Sequence, residues 1–192
     1  MKLEKMQYKD ISEVAERLSN AFSDKFTRET TLSKETAKKL MKLLWLEEYK
    51  VFGMQPYVLK DGEDVVGAFG VSTRQRYKLS VSLVAKTLAA VRVIGLQEMR
   101  LFAEEGLQTN RKPDKDELYI DFIAVKETLR NQGIGHRLME EIERLKESRP
   151  ELRKISLYVL KDNEPARHLY SKYGFKEEPK QELASYLYLV KE

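Results

Sequence analysis

The stretch that most constrains this chain is Val125-Lys126-Glu127-Thr128-Leu129-Arg130-Asn131-Gln132-Gly133-Ile134-Gly135, where an apolar run passes through a short polar loop into a glycine-opened helix. Upstream, Leu118-Tyr119-Ile120-Asp121-Phe122-Ile123-Ala124-Val125 is rich in β-branched and aromatic residues and reads as a strand. Downstream, Ile134, Leu138, Ile142 and Leu145 recur at helical spacing. The glycines therefore stand at a helix N-terminus, which offers unpaired N–H groups and the positive end of the helix dipole. Without Cβ atoms they let an anion such as a diphosphate approach the backbone.

Spacing decides among strand-to-helix phosphate loops. A nucleoside-triphosphate loop needs Lys and then Ser or Thr after its second glycine, and Gly135 is followed by His136 and Arg137. A dinucleotide fingerprint needs Gly or Ala three residues after Gly135, where Leu138 stands. What remains is Arg130-x-x-Gly133-x-Gly135, which resembles the acyl-CoA loop of the GNAT superfamily of N-acyltransferases. A second stretch, Asn163-Glu164-Pro165-Ala166-Arg167-His168-Leu169-Tyr170-Ser171-Lys172-Tyr173-Gly174-Phe175, is similar to that superfamily's other signature. Between the two lie a helix of about Ile134 to Glu147, a turn at Pro150 and an alternating strand Lys154–Val159. The resemblance is close over about Leu118 to Glu178 and rests on element order before that.

The resemblance implies one α/β domain over residues 1–192, with a mixed twisted sheet of about six to seven strands flanked by helices and a helical insert before the cofactor strand. It implies that the strands at Leu118–Val125 and Lys154–Leu160 splay apart to take the pantetheine arm of acetyl-CoA, the co-substrate. The backbone of Ile123, Ala124 and Val125 would pair with the arm. The loop Arg130, Asn131, Gln132, Gly133, Ile134, Gly135 and His136 would hold the pyrophosphate, with Arg130 either adding charge or closing the loop. Asn163 would touch the arm, and Tyr170 would lie near the sulfur, where a phenol protonated at neutral pH donates to the departing thiolate. Tyr170 is otherwise a core tyrosine, and Tyr173 a packing one.

The base is less determined. An amine with a pKa of about 10.4 must lose a proton, at roughly 4–5 kcal/mol at pH 7. Tyr119, Asp121 and Ile123 alternate onto one strand face. Some relatives carry glutamate at the position of Tyr119, so their base does not transfer. Asp121 is the nearest acid, either catalytic or satisfied by hydrogen bonds, and Glu117 is the fallback. The expected activity is acetyl transfer to a primary amine of a small molecule by direct attack; a protein lysine or N-terminal acceptor and a non-catalytic acyl-CoA sensor are the alternatives.

Composition removes other classes. The chain has 192 residues and no Cys, so it has neither a thiolate nucleophile nor a disulfide. Its two histidines, His136 and His168, do not form a metal-binding pattern, and no metal is expected. Lys86, Arg92 and Glu98 interrupt the most apolar segment, Val81 to Leu101, each costing about 2.5–3.5 kcal/mol in a bilayer. Neither a membrane nor a nucleic acid is an expected partner, since basic and acidic residues alternate despite a net charge of +4. A cytoplasmic location follows from the lack of an apolar leader in Met1–Lys5. Pairing with a second copy is kept as one assembly state.

Along the chain, Leu3–Tyr8 reads as a strand, and Asp10 or Ser12 caps a helix to about Phe22. A polar segment runs from Ser23 to Ser33, followed by a helix containing Leu40, Leu43, Leu44 and Trp45. Asp61-Gly62 joins a hairpin of Pro56–Lys60 and Asp64–Val71. Lys78 to Glu105 reads as one or two helices whose stripe Val81, Val84, Ala85 and Leu88 packs on the sheet or walls the acceptor pocket, with Lys86, Arg92 and Arg100 as the polar residues able to turn into it. Ser23–Leu32, Lys78–Glu105 and Gln181–Tyr188 are the acceptor segments by resemblance. Gly106–Asp116 reads as a mobile polar loop, Lys176–Glu182 as loop, and Ser185–Val190 as the closing strand.

Overall fold

The computed structural model describes residues 1–28, 31–73 and 80–192, with the backbone alone for residues 22–28. Residues 29–30 and 74–79, parts of two expected acceptor segments, lie outside it. Seven strands form one sheet in the order β1-β2-β3-β4-β5-β7-β6. They are β1 (Lys2–Lys5), β2 (Met54–Asp61), β3 (Asp64–Ser72), β4 (Glu117–Val125), β5 (Lys154–Leu160), β6 (Lys176–Glu177) and β7 (Tyr186–Lys191). Among the described residues only β4 and β5 run parallel, linked by a helical crossover, as a parallel pair requires.

Two cores fill the two faces. On one, α1 (Ile11–Arg28), α2 (Lys34–Leu40) and the π-helical turn Met41–Leu46 bury Val14, Leu18, Leu40 and Leu46 against Val58, Ala68, Phe122 and Ala124. On the other, α5 (Ile134–Glu147) and α6 (Glu164–Lys172) set Ile134, Leu138, Ile142 and Tyr170 against Phe69, Leu118, Ile120 and Val159. Leu138 and Ile142 have no exposed surface, and truncating such a side chain to alanine costs about 2–5 kcal/mol.

The pleat of β4 reverses halfway. β3 and β4 pair at Gly70↔Phe122 and then at Val71↔Ile120, leaving Asp121 as the extra residue of a β-bulge. Before it, Leu118 and Ile120 face α5; after it, Phe122 and Ala124 face α1. Ile123 therefore points to the α5 face, opposite Tyr119 and Asp121, and simple alternation failed at this bulge. Gly70 makes room for it, since a Cβ there would lie 2.5 Å from Phe122 Cε1 and 2.6 Å from Met54 Sδ.

Several elements depart from the sequence reading. The first helix runs on to Arg28, through residues expected as polar coil. Neither Asp10 nor Ser12 is its N-cap: Asp10 accepts from Gln7 N–H at 2.9 Å and pairs with buried Lys60 at 2.8 Å, and Ser12 Oγ accepts from Lys42 Nζ at 2.8 Å. Lys176–Glu177 pairs with β7 rather than forming loop. The insert is two helices, α3 (Val81–Ile94) and α4 (Leu96–Leu107), broken at Gly95 with φ +84°. Its stripe does not pack on the sheet: Val81, Val84 and Leu88 are exposed, and Leu83, Val91 and Ile94 pack instead. Among the described residues no helix is long and apolar enough to cross a membrane.

Candidate active site

β4 and β5 part where the bulge turns β4 away. Their pairing runs from Glu117↔Lys154 to Ile120↔Leu157 and stops, although β4 continues to Val125 and β5 to Leu160. Beyond that point β4 is held by β3 as far as Gly67↔Val125, and β5 by β7 as far as Leu160↔Tyr186. The facing edges of Asp121–Val125 and Tyr158–Leu160 thus have peptide groups without a strand partner, which suits a ligand carrying its own amides. Ile123, Ala124 and Val125 line that edge.

The cradle lies at the start of α5. Asn131 with φ 60° and Gly133 with φ 84° bend the loop so that successive amides can converge, as in anion-binding nests. The first helical bond is Arg137 N–H to Gly133 O at 3.0 Å, and among the described residues no acceptor binds the amides of residues 131–136. A Cβ on Gly133 would meet nothing within 4 Å, so the space in front is open and the left-handed φ is what requires glycine. Gly135 serves packing as well, because a Cβ there would lie 3.2 Å from Leu169 Cδ2 on α6. Arg130 ties the loop to α1, its Nη2 donating to Asn20 O at 3.2 Å. Exposed His136 sits at the rim, its carbonyl accepting from Tyr173 OH at 3.0 Å, so Tyr173 ties α6 to the cradle. These features fit the diphosphate and pantetheine of a CoA ester.

Asn163 caps α6, accepting from Ala166 N–H at 3.2 Å, so it precedes the helix that carries Tyr170 and leaves its amide NH2 for a ligand. Tyr170 is 8% exposed, its ring 5.7 Å from that of Phe175, in the core shared by Ile134 of α5 and Val159 of β5. Its hydroxyl has no hydrogen-bond partner among the described residues. Burial pushes its pKa well above that of a free phenol, so it stays a proton donor.

On the α1 face, Asp121 opens into a small pocket with Trp45, Phe52, Thr109, Asn110 and Tyr119. Its Oδ1 accepts from Ser72 Oγ at 3.4 Å, while Oδ2 is enclosed and without a partner. Burial raises its carboxyl pKa to about 7, against smaller lowering by the Ser72 bond and its own backbone. An unpaired buried carboxyl oxygen is costly, so Oδ2 gains by accepting from a donor that enters the pocket. Tyr119 OH is committed to Thr109 O at 2.6 Å. Glu117, the fallback base, is excluded: it has no exposed surface and accepts from Tyr188 OH at 2.6 Å, Asp114 N–H at 2.7 Å, Arg111 at 3.1 Å and Ser156 Oγ. It anchors the 106–116 loop instead, so that loop is tied down and not free. Of the insert's cations, Lys86 pairs with Glu47 at 2.9 Å and Glu48 at 2.7 Å, Arg100 with Glu104 at 2.7 Å, and Arg92 is exposed.

Sequence reasoning missed Trp45, Phe52, Thr109 and Asn110. Trp45 had a signal, as the chain's one tryptophan, but helical spacing assigns it to core. The π turn, with Glu47 N–H bonding Lys42 O at 2.9 Å, brings it against Phe122 at 5.4 Å and into the pocket.

With this geometry in place, residues 15–175 match the profile of the acetyltransferase (GNAT) family. The chain belongs to that family. It is an acyltransferase, and its seven-stranded sheet is the GNAT fold. Among solved structures, it is similar to an N-acetyltransferase from Staphylococcus aureus Mu50, with 21% identity and a TM-score of 0.65 over 99% of this chain and 98% of that one. The PaiA N-acetyltransferase from Thermoplasma acidophilum, in complex with coenzyme A, aligns with 12% identity and a TM-score of 0.64 over 100% and 98%. A ribosomal-protein-alanine N-acetyltransferase from Brucella melitensis aligns with 14% identity and a TM-score of 0.58 over 100% and 99%. No curated protein matches the chain.

Proposed function

We propose that this GNAT protein transfers an acetyl group from acetyl-CoA to a primary amine of a small molecule by direct attack. The observation that carries this reading is the parting of β4 and β5 at Asp121, with a buried, unpartnered carboxyl oxygen on one sheet face and the Tyr170 phenol in the core of the other. Acetyl-CoA supplies the activated thioester. Asp121 takes the proton from the attacking amine on the α1 face. A bond forms between the amine nitrogen and the acetyl carbon, the carbon–sulfur bond breaks, and Tyr170 gives its proton to the leaving sulfur on the α5 face. Base and acid on opposite faces suit direct attack, in which the amine adds to the thioester carbonyl from the α1 face and the tetrahedral centre so formed expels the sulfur toward the α5 face. CoA as the carrier is supported by the free amides of the cradle and by the Thermoplasma structure, which contains it.

The test is release of free CoA in the presence of a panel of small amines. Turnover that requires a small amine, with no acetylation of peptides, supports the reading. Acetyl-CoA binding without turnover of any amine would favour a sensor, and acetylation of peptides alone would favour a protein acceptor.

A further inference from the structure

Within the proposed acetyl transfer, on which this rests, the pocket beside Asp121 restricts what the acceptor can be. We infer that the acceptor is a monocationic primary amine, whose aminomethyl end enters between Trp45, Phe52 and Tyr119 to pair with Asp121, on an otherwise uncharged, apolar body.

Three observations lead there. Asp121 is the carboxylate of the pocket, and its Oδ2 is the buried side-chain oxygen left without a partner among the described residues. The other acids of the elements that build this side are already engaged. Glu47 and Glu48 hold Lys86, Glu48 also accepts from Ser80 at 3.1 Å and Ser82 at 2.7 Å, and Glu105 accepts from Gln108 at 2.5 Å. Glu117 is saturated by Arg111, Tyr188 and Ser156. Among the described residues beside the pocket, a second ammonium on the acceptor would thus meet no carboxylate without a partner and would lose hydration without return.

The walls and size agree with one cation. Trp45, Phe52 and Tyr119 present aromatic surface, which attracts an ammonium through the ring quadrupole and the carbons next to it through apolar burial. The cavity is about 40 Å³, room for a –CH2–NH3+ end. Tyr119 OH donates to Thr109 O, which holds its ring in place and turns its oxygen lone pairs to the site as a further acceptor for the ammonium.

The test is calorimetric. Protein saturated with CoA is titrated with 2-phenylethylamine and separately with 1,4-diaminobutane, in wild type and in Asp121→Asn, and the amine titrations are repeated without CoA. The CoA step reports on acyl-CoA binding, so its failure counts against the proposed reaction, while the amine steps report on the pocket either way. The expected result is 2-phenylethylamine binding about tenfold or more tighter than 1,4-diaminobutane, with that preference lost in Asp121→Asn. A Trp45→Leu variant should weaken 2-phenylethylamine several-fold while leaving CoA affinity unchanged. Equal or tighter binding of the diamine, no binding of 2-phenylethylamine, or an Asp121→Asn variant that binds it as wild type does would overturn the inference.

Discussion

In the proposed reaction, Asp121 is the residue whose role costs stability. Its folded pKa of about 7 lies above the ordinary 3.8, so the unfolded chain ionises first as pH rises. Wild-type stability therefore falls between about pH 4 and pH 7 and is level above, the drop being about 4 kcal/mol at 1.36 kcal/mol per unit. Asp121→Asn removes this charge, and denaturant titrations should show the variant more stable than wild type by that order at pH 8, with the gap closing toward pH 4. Its kcat should fall at least about tenfold, because the amide cannot take a proton. A variant with an unchanged rate would mean that a water carries the proton elsewhere. At Tyr170 the matching prediction is that Tyr170→Phe lowers kcat about 10–1000-fold while the acetyl-CoA Kd moves little. Pre-steady-state rates that do not change would remove the phenol from the leaving-group step.

Among the elements, the cradle and the anchored loop make separable predictions. Gly133→Asp places a carboxylate in the open space before the amides and strains a left-handed φ at about 1–2 kcal/mol. Calorimetry should show acetyl-CoA binding lost and the fold kept, whereas unchanged affinity in a folded variant would dismiss the cradle. Arg111→Ala strips one partner from fully buried Glu117, which keeps Tyr188, Ser156, Asp114 N–H and Lys154 at 4.0 Å, and thermal unfolding should show a loss of about 1.5–3 kcal/mol, the worth of one hydrogen bond to a charged group. The order of elements and the glycine-opened start of α5 were legible in the sequence, because Gly133, Gly135 and the periodicity of α5 are local signals. The acceptor side was not. A bulge at Asp121, a π turn at Trp45 and the ties of Arg111 to Glu117 depend on partners distant in sequence, so alternation put Ile123 on the wrong face and composition left the 106–116 loop free.

Across the whole molecule, the sheet divides the work. The α5 face holds the cradle and Tyr170, the α1 face holds Asp121 and the aromatic pocket, and the parting of β4 and β5 joins them. The insert is fastened to the π turn through Lys86, and it reaches the pocket only at the end of α4, where Gly106 and Leu107 lead on to Thr109 and Asn110. Since backbone amides are the proposed ligands, hydrogen–deuterium exchange with and without CoA tests the account most directly. Exchange should slow on CoA binding at residues 121–125 and 131–136, while α3 and most of α4 stay unchanged. Protection concentrated on α3 and α4, or none in the β4 edge and the α5 start, would contradict the assignment of the acyl-CoA site.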